Sequence, residues 1–153
     1  MVGAGGSGKT WLASAILAGM LETDHPRTVC RDGKAGRDAI GWVTAPELII
    51  RIRATFSPGA RETEYDIVKE MCAFQALLID DYGAENKTDF SGEALYSIIA
   101  TRRNHQRFTI LTSNLMGKEL MQWEPRIYLR LGEYFGITKT GEIKRPIRKG
   151  VEW

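Results

Sequence analysis

The chain has few of the residues that mark several common protein classes. It holds two cysteines, Cys30 and Cys72, and two histidines. The cysteines show no C-x-x-C spacing, so neither a disulfide framework nor a zinc site is indicated. No apolar run approaches the ~20 residues that a membrane helix needs. The Met1 end carries no basic-then-apolar signal segment. These absences predict a cytoplasmic, reduced protein with no membrane contact. No internal repeat, low-complexity tract or linker interrupts the 153 residues, so one domain over residues 1–153 is expected.

Net charge is only +2, but it is unevenly placed. Residues 1–100 hold 10 Lys/Arg against 14 Asp/Glu, and residues 101–153 hold 11 against 5. A basic end of this kind meets either nucleic acid phosphates or an acidic partner. It lacks the aromatic interleaving of a dedicated nucleic-acid surface, and a solvated face explains it equally well.

What the chain does have is concentrated at its start. Residues 3–10 read Gly3-Ala4-Gly5-Gly6-Ser7-Gly8-Lys9-Thr10, a full match to the phosphate-binding loop G-x-x-x-x-G-K-[ST]. Glycines let successive backbone N–H groups turn inward around phosphate oxygens, and the following helix points its positive end at them. Lys9 is expected to neutralise the β- and γ-phosphates, and the Thr10 hydroxyl to coordinate Mg²⁺. Such a loop normally follows a buried strand, for which only Met1 and Val2 are available.

Strand-like apolar runs alternate with helical stretches, which predicts a mostly parallel sheet covered by helices. Helices are expected over Lys9 to about Glu22, Ala45 to about Thr55, Glu62 to Phe74, Asp89 to Asn104, and Gly117 to Leu131 with a break near Pro125. In the first, Leu12, Ile16, Leu17, Met20 and Leu21 recur at helical spacing. Strands are expected over Ala39–Thr44, Gln75–Asp81 and Phe108–Ser113, with a last one over Tyr134–Thr138. Residues 30–38 read as a polar loop.

The strand Leu77-Leu78-Ile79-Asp80-Asp81 ends in two carboxylates. Burying an unpaired carboxylate is costly, so the pair implies a metal, a water or a basic partner. Asp80 is expected to hold the magnesium shell and Asp81 to polarise an attacking water. The strand Thr109–Leu111 runs into Thr112-Ser113-Asn114. In open α/β sheets ligands sit beyond the carboxyl ends of the strands, so Asn114 is placed to touch a γ-phosphate or that water. Arg126 and Arg130 lie four apart, on one helix face.

Taken together, these residues resemble the AAA+ ATPase core of the DnaC-like replicative helicase loader group, which includes IstB-type transposition ATPases. The resemblance is carried by Gly3–Thr10, Val43–Leu48, Leu77–Glu85, Arg102, Thr109–Leu115 and Arg126–Leu131. It implies ATP as the nucleotide, since the loop itself reads only phosphates. It makes Lys9 and Thr10 Walker A, Asp80 and Asp81 Walker B, Asn114 sensor 1 and Arg130 an arginine finger acting on a neighbouring subunit. The implied fold is an α/β P-loop sheet of five parallel strands between helices. On that resemblance the first strand is expected to be largely missing, the domain to be incomplete at its N-terminus, and no separate lid domain to follow. Leu129 stands where the family has Ser or Thr. The implied function is slow, oligomer-dependent ATP hydrolysis in a phage or mobile-element replication protein. The implied partners are further copies of the chain, a replicative helicase or a transposase, and single-stranded DNA. Two readings compete: a nucleotide-dependent interaction module or gene remnant without turnover, and a small-molecule kinase.

Overall fold

The buried run Ala76–Tyr82 organises everything else. The computed structural model describes residues 1–22, 40–85, 89–132, 136–137 and 143–144. The elements, in chain order, are α1 (Lys9–Glu22), β1 (Ile40–Thr44), α2 (Ala45–Ala54), α3 (Glu64–Ala73), β2 (Ala76–Tyr82) and α4 (Asp89–Asn104). They continue as β3 (Phe108–Ser113), α5 (Gly117–Trp123), α6 (Pro125–Gly132), β4 (Gly136–Ile137) and β5 (Ile143–Lys144). Strands β1, β2 and β3 form a parallel sheet with β2 in the middle. A central parallel strand is covered on both faces, which is why its sequence is a continuous apolar run rather than an alternating one.

Alternate residues of β2 feed two cores. Leu77 and Ile79 pack with Leu48, Ile52, Ile67, Leu95, Ile98 and Ile127 from the helices α2 to α6. Ala76 and Leu78 pack with Ala13, Leu17 and Met20 of α1 and with Ile110. Each fully buried Leu or Ile here contributes about 1.5–3 kcal/mol of transfer free energy. The helix starts are set locally. Thr44 accepts the Glu47 N–H at 3.2 Å. Thr63 and Asp66 form a reciprocal capping box, which places the start of α3 at Glu64, two residues later than expected.

The structure departs from the sequence reading in three places. Of the five periodic residues in α1, only Leu17 and Met20 are buried, together with Ala13, while Leu12, Ile16 and Leu21 are exposed. The helix is apolar nearly all round, so its spacing does not choose a face; the sheet does. The expected five parallel strands appear, among the described residues, as three, joined by a parallel bridge from Val2 to Ser113. Gly136–Ile137 is a strand, but it pairs antiparallel with Ile143–Lys144 in a separate ribbon. Tyr134, Thr138 and the loop over residues 30–38 lie outside the described residues.

The Val2 bridge decides where the phosphate loop sits. Ser113 N–H donates to the Met1 carbonyl at 2.9 Å, and Gly3 N–H donates to the Ser113 carbonyl at 3.2 Å. The start of the chain thus lies beside β3, on the side away from β2, and the loop emerges at the carboxyl ends of β2 and β3. No helix among the described residues is long and apolar enough to cross a membrane.

Candidate nucleotide and magnesium site

The loop is shaped by backbone that only glycine adopts cheaply. Gly6 and Gly8 have φ of 75° and 81°, in the left-handed region where a Cβ is strained. Helix α1 starts directly after them, with Leu12 N–H bonded to the Gly8 carbonyl at 2.9 Å. The Lys9 ammonium folds back into the loop. It donates to the Gly3 and Ala4 carbonyls at 2.9 Å each, to Ser7 Oγ at 3.4 Å and to Asn114 Oδ1 at 2.8 Å. That last contact joins residues 105 positions apart and ties the loop to the end of β3.

A second bond joins the loop to β2. Thr10 Oγ1 donates to Asp80 Oδ1 at 3.1 Å, across 70 residues. With its single proton directed at the carboxylate, the Thr10 hydroxyl keeps its lone pairs for another ligand. Asp80 is 3% exposed and also accepts a bond from the buried Thr112 hydroxyl. Asp81 is half-buried and lines a cavity of about 360 Å³ together with Gly5, Gly6, Gly8, Lys9 and Thr10. Trp11 and Asn114 complete the lining.

The two acids occupy different positions because the strand is irregular between them. Ile79 pairs with Leu111 but Tyr82 pairs with Ser113, so Asp80 and Asp81 together face the single residue Thr112. Asp81 takes a φ of 54°, which costs a non-glycine residue about 1–2 kcal/mol. In a regular strand, consecutive side chains point to opposite faces. The bulge instead leaves Asp80 bonded to Thr10 and Asp81 in the cavity that Thr10 also lines.

The three residues that end β3 each bind a different neighbour. Thr112 reaches the two acids, Ser113 Oγ donates to the Tyr82 carbonyl at 2.6 Å and accepts the Leu115 N–H at 3.0 Å, and Asn114 holds Lys9. Sequence reasoning singled out Asn114 and read the two hydroxyls before it only as part of a polar strand end. Trp11 was not singled out either, although it lines the cavity and is 76% exposed. Its position directly after Lys9-Thr10 is the signal that marks it.

The donor set fits magnesium. Among the described residues no group of three His, Cys, Asp or Glu could hold a metal ion. Mg²⁺ characteristically takes one or two protein oxygens and completes its shell with phosphate and water. Thr10 and Asp80 supply hard oxygens of that kind.

Arg126 and Arg130 share a face of α6 over Tyr96. The Arg126 guanidinium lies 5.1 Å from the Tyr96 ring centre and pairs with Glu124 at 2.9 Å. Arg130 donates to the Tyr96 hydroxyl at 3.5 Å and is not among the cavity-lining residues. Of the expected site residues, then, the structure brings together the loop, Asp80, Asp81 and Asn114, and it places Arg130 elsewhere on the same chain.

No protein-family model matches the chain. Two curated proteins, the replicative helicase loaders DnaC of Buchnera aphidicola subsp. Acyrthosiphon pisum (strain APS) and subsp. Schizaphis graminum (strain Sg), are 27% and 26% identical to it over 151 residues. Those matches take in 97% of this chain and 56% of each relative, so the chain spans little more than half their length. Among solved structures, a crystal structure of the DnaC helicase loader superposes with a TM-score of 0.66 at 25% identity, over 86% of this chain and 71% of that one. Domain III of the Thermotoga maritima replication initiation protein DnaA superposes with a TM-score of 0.67 at 15% identity, over 84% of this chain and 48% of that one. AMPPCP-bound DnaA from Aquifex aeolicus gives 0.66 at 17%, over 84% and 36%. The fold is therefore that of an AAA+ P-loop nucleoside triphosphatase domain, with a core similar to that of DnaC helicase loaders.

Proposed function

We propose that this chain is the ATP-binding core of a replication protein of the helicase-loader type. The single observation that carries this reading is the Thr10–Asp80 bond at 3.1 Å. It joins the phosphate loop to the acidic strand end, the pairing a magnesium nucleotide needs, while similarity to DnaC supports the loader type. The loop amides and Lys9 bind the phosphates, with Lys9 exchanging its carbonyl and Asn114 partners for phosphate oxygens. Thr10 and Asp80 hold Mg²⁺, which when bound neutralises charge on the phosphate oxygens. Asp81 orients and deprotonates the attacking water, and Asn114 reports the γ-phosphate to the end of β3. Arg130 acts on the site of an adjacent copy of the chain, so turnover depends on assembly. The nucleotide state switches the grip on a replicative helicase and on single-stranded DNA.

Similarity to DnaC supports a replicative partner over a transposase, although an IstB-type transposition helper would use the same core. A phage or mobile-element origin belongs to the same proposal. The competing reading is a nucleotide-dependent interaction module that binds nucleotide through the same loop without turnover.

The test is ATP turnover by the chain alone and with the replicative helicase of its own genome, alongside helicase binding in ATP and in ADP. Turnover below roughly 10 s⁻¹, the median for ordinary enzymes, and helicase affinity at least about 10-fold higher in one nucleotide state are expected. Faster turnover, or equal affinity in both states, contradicts the loader reading.

A further inference from the structure

The acids at the end of β2 are held by a residue to which the proposed chemistry gives no part. Thr112 is fully buried, and its hydroxyl sits between the two carboxylate-bearing residues. A peptide N–H can only donate and an ionised carboxylate can only accept. The Asp81 N–H donates to Thr112 Oγ1 at 3.0 Å, so the Thr112 proton is directed at Asp80 Oδ1, with which it makes a short contact. Thr10 donates to that same oxygen at 3.1 Å. The result is a chain of fixed polarity that runs from the Asp81 amide through Thr112 to Asp80. Bonds polarised in series in a buried site strengthen one another.

We infer that Thr112 is a positioning residue that clamps the bulge and so assigns the two acids their separate places. The bulge has one extra residue on β2, and Asp81 adopts a left-handed φ of 54°. A strained conformer of this kind persists only where the surroundings over-determine it. Thr112 supplies that determination: it is the one residue of β3 opposite the bulge, it takes up the Asp81 N–H, and it fixes the Asp80 carboxylate against Thr10. Without its hydroxyl the acids lose a shared reference. The Asp81 N–H then loses its Thr112 acceptor, and Asp80 keeps only the Thr10 donor among these two hydroxyls. The effect on catalysis rests on the proposed ATPase function; the clamp itself does not.

The experiment compares wild type with Thr112→Val and Thr112→Ser. Turnover and nucleotide affinity are measured with and without Mg²⁺, and amide hydrogen exchange is followed at Asp81. In the wild type the Asp81 amide, bonded to a buried hydroxyl, is protected by about 100-fold or more over an open amide. In Thr112→Val that exchange accelerates at least about 10-fold, turnover falls by about 30-fold, and metal-free nucleotide affinity stays within about 3-fold. Thr112→Ser restores the hydroxyl and brings turnover and Asp81 protection back to within about 3-fold of wild type. A merely structural role would lower thermal stability without this split and without rescue by serine. Equal impairment of Ser and Val, or turnover of a folded Val variant within about 2-fold of wild type, overturns the inference. An unprotected Asp81 amide in the wild type overturns it even if the Val variant fails to fold. A wild type that binds no nucleotide removes the proposed function instead, and the Asp81 exchange comparison still decides the clamp.

Discussion

Replacing Arg102 with methionine lowers the stability of the fold by about 3–5 kcal/mol through lost buried hydrogen bonds, a large part of the ~5–15 kcal/mol that holds a typical domain together. Arg102 is 0% exposed and has no carboxylate among its hydrogen-bond partners in the described residues. Its guanidinium donates to the carbonyls of Met71 and Phe74 at 2.7 Å each, to the Phe108 carbonyl at 2.6 Å and to Thr109 Oγ1 at 2.9 Å. One planar group therefore joins the end of α3, the turn into β2 and the start of β3. Burial pushes its pKa down to about 10, which leaves it charged at neutral pH. Methionine fills much of the volume but removes all four donated bonds, each loss costing about 1–3 kcal/mol less whatever the relaxed backbone recovers. Lysine keeps the charge but donates from a single point and cannot span the three sites, so Arg102→Lys is expected to lose about half as much. Thermal unfolding reads both, with a drop of about 10 °C expected for methionine. A methionine variant within about 1 kcal/mol of wild type would show that the fork is not what joins these three segments.

The second large effect is at Asp81. Asp81→Asn is expected to lower ATP turnover by about 10²–10³-fold, within the range that a positioned general base contributes. Nucleotide affinity stays within about 3-fold, since the substitution removes no phosphate contact. Asparagine is the conservative choice here because it tolerates the left-handed backbone about as well as aspartate does, so the bulge survives. The change separates the two proposed readings as well. An ATPase loses turnover, whereas an interaction module keeps its nucleotide-dependent partner affinity unchanged. Because Asp80 is buried against Thr10 and Thr112 while Asp81 lines the cavity, Asp80→Asn should instead weaken the dependence of binding on Mg²⁺. Turnover retained within about 3-fold in Asp81→Asn contradicts the role given to Asp81.

What the sequence made legible was what short-range chemistry dictates. The eight residues Gly3–Thr10 announce a phosphate loop because few other uses need glycine at those positions and Lys-Thr after them. The strand ends at Asp80-Asp81 and Thr112–Asn114 were readable because an apolar run stopping at polar residues marks the carboxyl edge of a sheet. Helices α1 and α4 fall at their expected bounds, and the helical stretch expected over Gly117–Leu131 divides just before Pro125 into α5 and α6. Arg102 is legible as one of the residues that carry the resemblance but not as a buried one, since a charged side chain gives no sign of burial until the carbonyls around it are known. The bulge at Asp81 was invisible for a related reason: an extra residue in one strand exists only relative to its partner. The face of α1 was undetermined because apolar residues surround the helix, and only the position of the sheet distinguishes Leu17 from Leu12. The Lys9–Asn114 contact joins distant segments through the Val2 bridge, a pairing of a single residue that no periodicity announces.

The loop, seated beside β3 by the Val2–Ser113 bridge, is proposed to bind a magnesium nucleotide. The most direct measurement is a titration of the chain with a fluorescent ATP analogue and Mg²⁺, beside Lys9→Ala. Lys9 reaches the Gly3 and Ala4 carbonyls within the loop and Asn114 just after β3, and on the proposed reading it exchanges them for the phosphates. Dissociation at about micromolar concentration in the wild type, weakened at least about 30-fold in Lys9→Ala, is the expected result. No binding by the wild type, or equal binding by both, contradicts the account.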